Sequence, residues 1–229
     1  MTPFDSAKLG VRSSGGYVVS TFLFGVMFGI AASSIGLFDW QALLMGSSTF
    51  SASAAYSALE FWQSPLPLGT IALSVFLVST RNVLLGMSMA HRFDGHSVAR
   101  RTLCLFLLND PGVVTSFKLD EDIDRLGYVT GYGAALMTSW LISTTIGLAA
   151  ADAFAQTDLG SLSFAGPLVM ATMMVLFAKG SKSNPMPWVV SGVAALICFE
   201  LGLPPYLILL LSVLAGVVGT LFGLKRNNV

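Results

Sequence analysis

Two ionisable residues, Arg81 and Asp110, lie inside long apolar runs, where charged side chains are rare and costly. Arg81 precedes Ala90, the last residue of its run, by nine positions, which places it about 13 Å deep if the run is helical. A guanidinium at that depth can hold a carboxylate between two parallel N–H groups. The alternative is a structural ion pair with an acid from another helix.

Asp110 stands directly before Pro111 and Gly112, within the apolar segment LLNDPG. Proline lacks a backbone N–H and clashes with the preceding turn, so we expect the helix to break here. The carbonyl groups before the break are then free to accept from a cation, and the carboxylate beside them suits an ammonium group or a proton. The alternative is a helix end in a wet loop. Arg81 is the one cation at comparable depth, so we expect it to be the partner of Asp110.

Small and hydroxyl-bearing residues form a second polar feature. The segment 47–53 (SSTFSAS) contains five hydroxyl groups in seven residues, including Ser51 and Ser53. In a membrane such groups either bond within and between helices or line a polar cavity. Gly25 and Gly29, like Gly219 and Gly223, are four residues apart, a spacing that favours close helix packing.

The composition shows what kind of chain must position these residues. Of 229 residues, 54% are hydrophobic and only 10% are charged, with a formal net charge of zero and a mean hydropathy of +0.76. This excludes an ordinary soluble enzyme, a disordered tail and a nucleic-acid-binding protein. No catalytic signature, metal cluster or cofactor motif can be recognised, and the two cysteines lie in apolar runs. The sequence therefore predicts an integral membrane protein that is not an enzyme.

Apolar runs predict an all-α, polytopic membrane fold. A spanning helix needs about 20 apolar residues. The runs are residues 17–38, 43–59, 66–90, 102–117, 127–151, 162–178, 186–199 and 207–224. Those beginning at 43, 102, 162 and 186 are short or interrupted.

Positive charge predicts the orientation, because cytoplasmic loops collect Lys and Arg. The cationic segments are the two termini, the loop 91–101 and residues 179–182. All four are cytoplasmic if there are six full spans and if 43–59 and 102–117 are broken, re-entrant segments. Eight full spans are the rival arrangement. We expect a single membrane domain over 1–229, with a candidate internal repeat of halves 16–117 and 127–224, since Glu60 and Glu200 each precede a pair of prolines.

Several motifs resemble AzlC-like proteins, the larger subunit of bacterial branched-chain amino acid exporters. FGVMFG at 24–29, followed by GL at 36–37 and ALLMGS at 42–47, is similar to the start of that family, and FSASAAY at 50–56 resembles its FAGAAQF. STRN at 79–82 resembles its NLRH, and NDP at 109–111 its TDE. Trp140 and SFAGP at 163–167 resemble its Trp helix and its DFAFP. The departures from the family residues are Ala55, Asn82, Asn109, Pro111 and Ser163.

The resemblance implies a secondary transporter subunit in the bacterial inner membrane that exports small hydrophobic amino acids, coupled to the proton gradient. It also implies a small AzlD-like membrane partner. By position in these motifs, the expected substrate-binding residues are Arg81, Asn82, Asn109, Asp110, Ser51 and Ser53. Arg81 would hold the substrate carboxylate or pair with Asp110, and Asp110 would hold the ammonium group or carry a proton. The rival interpretation is a non-transporting membrane scaffold whose two buried charges are structural.

Overall fold

A computed structural model describes residues 1–155 and 186–226, and all regular structure within these ranges is helical. The helices are α1 (Pro3–Ser13), α2 (Gly15–Ser34), α3 (Asp39–Thr49), α4 (Ala52–Glu60), α5 (Leu68–Met89), α6 (Val98–Phe106), α7 (Asp110–Ser116), α8 (Arg125–Ala155), α9 (Met186–Glu200) and α10 (Pro205–Arg226), with a 3₁₀ turn at Ala90–Arg92. The chain divides into two compact units, Met1–Gly166 and Pro167–Val229.

Three helices of the first unit are long and apolar enough to cross a membrane. They are Gly15–Ser34, Leu68–Arg92 and Arg125–Ala151, and they match the runs predicted at 17–38, 66–90 and 127–151. In the second unit α9 and α10 pack against each other and match the runs at 186–199 and 207–224. The run at 162–178 and the segment 163–167 lie outside the described residues. Over the described residues the predicted all-α fold with candidate membrane spans is therefore confirmed. The count of six spans stays a prediction, as does the single domain with two halves.

Small residues bring α1 and α2 against α8. A side chain added at Gly131 would overlap the carbonyl group of Ala7, and one added at Gly25 would overlap Ser143. Ser139 donates a hydrogen bond to the carbonyl of Val18, at 3.0 Å. In these contacts the residue numbers increase in the same order along α1–α2 and along α8. The two stretches of helix therefore run parallel. The four-residue spacing of Gly25 and Gly29 thus serves close helix packing, as the sequence predicted.

The N-terminal helix α1 was not foreseen, because its residues do not form an apolar run. Local signals nevertheless start it. Thr2 caps the helix by accepting a hydrogen bond from the N–H of Asp5, and Pro3 fits the first turn, where its missing N–H costs nothing. α1 ends at Ser13, and α2 begins two residues later at Gly15.

Both segments predicted to be broken are pairs of short helices. In 43–59, α3 is followed by its C-cap Phe50, whose backbone is left-handed (φ 36°), and Ser51, in an extended conformation, is the N-cap of α4. In 102–117, Leu107 is the C-cap of α6, and Asn109, again extended, is the N-cap of α7. None of the four pieces exceeds 11 residues, which is too short to cross a bilayer.

The α6–α7 pair enters and leaves at the same end of the first unit. Arg100, near the start of α6, pairs with Asp124, the residue before α8. Leu107 packs against Gly133, two turns along α8. The chain then returns, because the carbonyl of Ser116 accepts a hydrogen bond from Nε of Arg125 at 3.0 Å. The segment is a helical hairpin whose tip lies about 12 Å along α8, and its re-entry into a membrane stays a prediction.

The α3–α4 pair forms a second hairpin from the opposite end. α3 follows the far end of α2, and its Gly46 lies against the indole of Trp140. α4 then turns back, since Tyr56 donates a hydrogen bond to the carbonyl of Phe24 at 3.0 Å.

The tips of both hairpins adjoin one apolar cluster. Leu108 and Val113 of the α6–α7 hairpin are buried in the cluster, and Phe50 packs against it. The other buried members are Met89, Cys104, Leu126, Tyr128, Val129, Tyr132 and Leu136.

Candidate functional site

Arg81 and Asp110 form an ion pair, as their shared depth in the sequence predicted. Nη1 of Arg81 on α5 lies 3.2 Å from Oδ2 of Asp110 at the start of α7. The two side chains keep 51% and 37% of their surface exposed. The pair therefore joins a long helix to the tip of the α6–α7 hairpin and still presents polar atoms to a ligand.

The break in the helix positions the carboxylate. Asp110 is the first residue of α7, and Pro111 follows it in the first turn, where a proline is tolerated. The chain before Asp110 is extended at Asn109 (φ −148°, ψ 149°), so the helical ladder of α6 does not continue into α7. The carboxylate thus stands at the hairpin tip and reaches across to α5.

The ion pair leaves binding capacity unused. A guanidinium has five N–H donors and a carboxylate has two acceptor oxygens. Within the described ranges, Asp110 is the one polar partner of the Arg81 side chain, and Oδ1 of Asp110 makes no hydrogen bond. The unused N–H groups of Arg81 can therefore bind an anionic group, and Oδ1 of Asp110 can bind a cationic one.

Asn109 and Asn82 differ in their surroundings. Oδ1 of Asn109 accepts from the N–H of Gly112 at 2.8 Å, and its Nδ2 donates to the carbonyl of Leu107 at 3.0 Å. Both ends of this amide are thus engaged by the backbone. Asn82 follows Arg81 on α5 and is half-buried, with no polar partner among the residues described.

Ser51 and Ser53 lie at the other helix break. Ser51 is buried and accepts from the N–H of Ala54 at 3.4 Å, and its hydroxyl oxygen lies 3.2 Å from that of Ser53. Neither serine has a polar contact with Arg81 or Asp110 in the described part of the chain. Of the six predicted residues, the structure thus pairs Arg81 with Asp110 and Ser51 with Ser53, and it does not join these two pairs.

The hydroxyl groups at the end of α3 bond within their own helix. Ser47, Ser48 and Thr49 donate to carbonyl groups three or four residues earlier, at 3.1, 3.2 and 2.9 Å. These contacts satisfy the groups without a ligand, which fits the packing interpretation of the hydroxyl-rich segment.

A charged network at the base of the α6–α7 hairpin was not foreseen. Asp124 pairs with Arg100, lies 3.8 Å from Nε2 of His96, and donates its N–H to Ser6 at 3.2 Å. Asp124, Arg100 and His96 line a cavity of about 430 Å³, and Arg92 lines it as well. The mixed charges of 118–125 were its signal in the sequence. The network brings the N-terminus and the loop 91–101 to the same end of the unit, as the charge pattern predicted.

Comparison with known proteins adds one family match. The family model described as AzlC protein matches residues 17–154, more than half of the chain. The matched range includes both hairpins and the Arg81–Asp110 pair. Searches of curated proteins and of solved structures each gave no match.

Proposed function

This chain belongs to the AzlC family, and on that premise we propose that it is the larger subunit of a secondary transporter exporting small hydrophobic amino acids, branched-chain ones included. AzlC is a transport-related family. The observation that carries the proposal for this chain is the half-exposed Arg81–Asp110 pair at a helix break. Irregular backbone at membrane depth is tolerated where it is buried in protein or lines a watery cavity, so the break is a natural substrate site.

The chemistry of the pair matches an amino acid zwitterion. The free N–H groups of Arg81 suit the substrate carboxylate, and the open oxygen of Asp110 suits its ammonium group. Leu108 and Val113, on either side of Asp110, belong to the apolar cluster. A hydrocarbon side chain placed beside the ion pair would therefore meet apolar surface. Asn82, Ser51 and Ser53 remain proposed contributors to the cavity.

The remaining assignments follow the family and the charge pattern. We propose a small AzlD-like membrane subunit as partner, a bacterial inner-membrane location, and cytoplasmic N- and C-termini. The common position of the N-terminus and the loop 91–101 supports this orientation, because both segments are cationic.

The direct test is amino acid flux in proteoliposomes, with and without the small partner subunit. Arg81→Ala should abolish leucine flux, and Arg81→Lys should restore little, because an ammonium group cannot form the planar two-pronged contact. Arg92→Ala is the matched control, since it removes an arginine outside the pair and should keep most of the flux. Full leucine flux by folded Arg81→Ala would refute the site, whereas no flux by the unaltered protein with its partner subunit would favour the scaffold interpretation.

Coupling to protons is tested separately at Asp110. If its carboxylate carries the coupling proton, Asp110→Asn should stop flux driven by a pH gradient but preserve exchange of labelled for unlabelled substrate. Loss of both activities in a folded protein would assign Asp110 to substrate binding and refute its role in coupling.

A further inference from the structure

We propose that Asn109 is a positioning residue that holds the Asp110 carboxylate toward Arg81. This inference rests on the proposed function of the Arg81–Asp110 pair. It reassigns Asn109 from a substrate contact to a residue that acts through its neighbour.

Asn109 connects the two helix ends at the break. Its Nδ2 donates to the carbonyl of Leu107 at the end of α6, and its Oδ1 accepts from the N–H of Gly112 in the first turn of α7. The Leu107 carbonyl lies against Gly133, where even a Cβ would overlap it. One amide thus satisfies a stranded acceptor and a stranded donor that face each other across the break.

The same contact decides which partner the neighbouring carboxylate takes. Aspartate readily accepts a hydrogen bond from the backbone N–H two residues on, and for Asp110 that donor belongs to Gly112. Asn109 already occupies this N–H at 2.8 Å. Pro111 has no N–H, and that of Val113 is bonded to the Asn109 carbonyl at 3.1 Å. The carboxylate therefore has no competing donor on residues 111–113 and turns to Arg81.

Removing the Asn109 acceptor frees the Gly112 N–H for Asp110. In Asn109→Ala the carboxylate is divided between Gly112 and Arg81, and we expect KM to rise about tenfold, the effect of about one lost hydrogen bond, with Vmax within about twofold. Asn109→Ser keeps an acceptor for Gly112 and should hold KM within about twofold of the original value. Both variants lose the contact with Leu107, so a purely structural role predicts lower yield in both and the same KM in both.

Transport kinetics should be measured per amount of folded protein in proteoliposomes, with leucine as substrate. Thr2→Ala is the control, because it removes the N-cap of α1, remote from the ion pair, and should not change KM. If Asn109→Ala does not fold, Asn109→Gly also removes the acceptor and is the better tolerated replacement at an N-cap. An unchanged KM in a folded variant lacking the acceptor overturns the inference. Normal transport by Asp110→Asn would instead overturn the Arg81–Asp110 site on which the inference rests, and no leucine transport by the unaltered protein with its partner subunit would overturn the proposed function.

Discussion

Neutralising either member of the ion pair should destabilise the protein more than neutralising both. Arg81→Gln leaves the Asp110 carboxylate without its cation, and Asp110→Asn leaves the guanidinium without its anion. The double variant removes both charges and leaves neither of them unpaired. We therefore expect the double variant to be more stable than the sum of the two single effects predicts.

The size of this coupling follows from the geometry. Two unit charges 3.2 Å apart attract with about 1.3 kcal/mol in bulk water and with about 5 kcal/mol at an effective dielectric constant of 20. The side chains keep 51% and 37% of their surface exposed, so water screens part of the attraction. We expect a coupling free energy of about 1 to 2 kcal/mol. For a chain of this size that corresponds to about 2 to 8 °C in Tm.

The assay is a double-mutant cycle on thermal unfolding in detergent, followed by circular dichroism or by a thiol-reactive dye at the two cysteines. Each single variant should unfold earlier, and the double variant should recover at least about 1 kcal/mol relative to additivity. Independent, well-separated sites add to within about 0.5 kcal/mol. Additive effects within that margin would mean that Arg81 and Asp110 do not interact in the folded protein, and would refute the pairing on which the site depends.

Three further predictions concern orientation, cavity shape and packing. A cysteine at Ser97, in a background without the two native cysteines, should react only with reagents that reach the cytoplasmic side; labelling of intact cells by an impermeant reagent would contradict the proposed orientation. Ala52→Leu should reduce flux of leucine before that of alanine if the hydroxyl-rich segment lines the cavity, whereas a lower protein level with unchanged selectivity would favour plain packing. Gly131→Leu should lower Tm or abolish folding, since the added side chain would overlap Ala7, while Gly16→Leu, at an open position, should change Tm little.

The two helix breaks differ in how readily the sequence predicts them. Proline and glycine after Asp110 mark the second break directly, because they end a helical ladder. The first break contains neither residue, and only the short apolar run and the distribution of positive charge between loops indicate it. There the chain turns at Phe50, a bulky residue in the left-handed region, where non-glycine residues are uncommon. Its packing against the apolar cluster, a tertiary interaction, accompanies this conformation.

The sequence predicts the charged residues of the candidate site, but it does not predict the role of Asn109 or the packing of α1. Arg81 and Asp110 could be paired because each is the one ionisable residue inside its apolar run, and the two runs place them at a similar depth. Asn109 was predicted to bind substrate, although an asparagine just before a proline-containing first turn is also a typical N-cap. To decide between substrate binding and N-capping, one must know where the N–H of Gly112 lies, and only the folded structure shows this. The helix α1 was missed for a similar reason, because its partner in packing lies more than a hundred residues away at Gly131.

Two independent helical distances place the ion pair at the same depth. Arg81 lies nine residues, about 13 Å, from the end of its apolar run at Ala90, and the hairpin tip meets Gly133 eight residues, about 12 Å, beyond Arg125. If Ala90 and Arg125 lie at the border of a hydrocarbon core of about 30 Å, as the proposed orientation requires, both values place the pair well below the headgroups. Charges at this depth face protein or water rather than lipid. We therefore propose that the exposed half of the Arg81 side chain opens onto an aqueous path or a protein partner, because a transported zwitterion requires such a path.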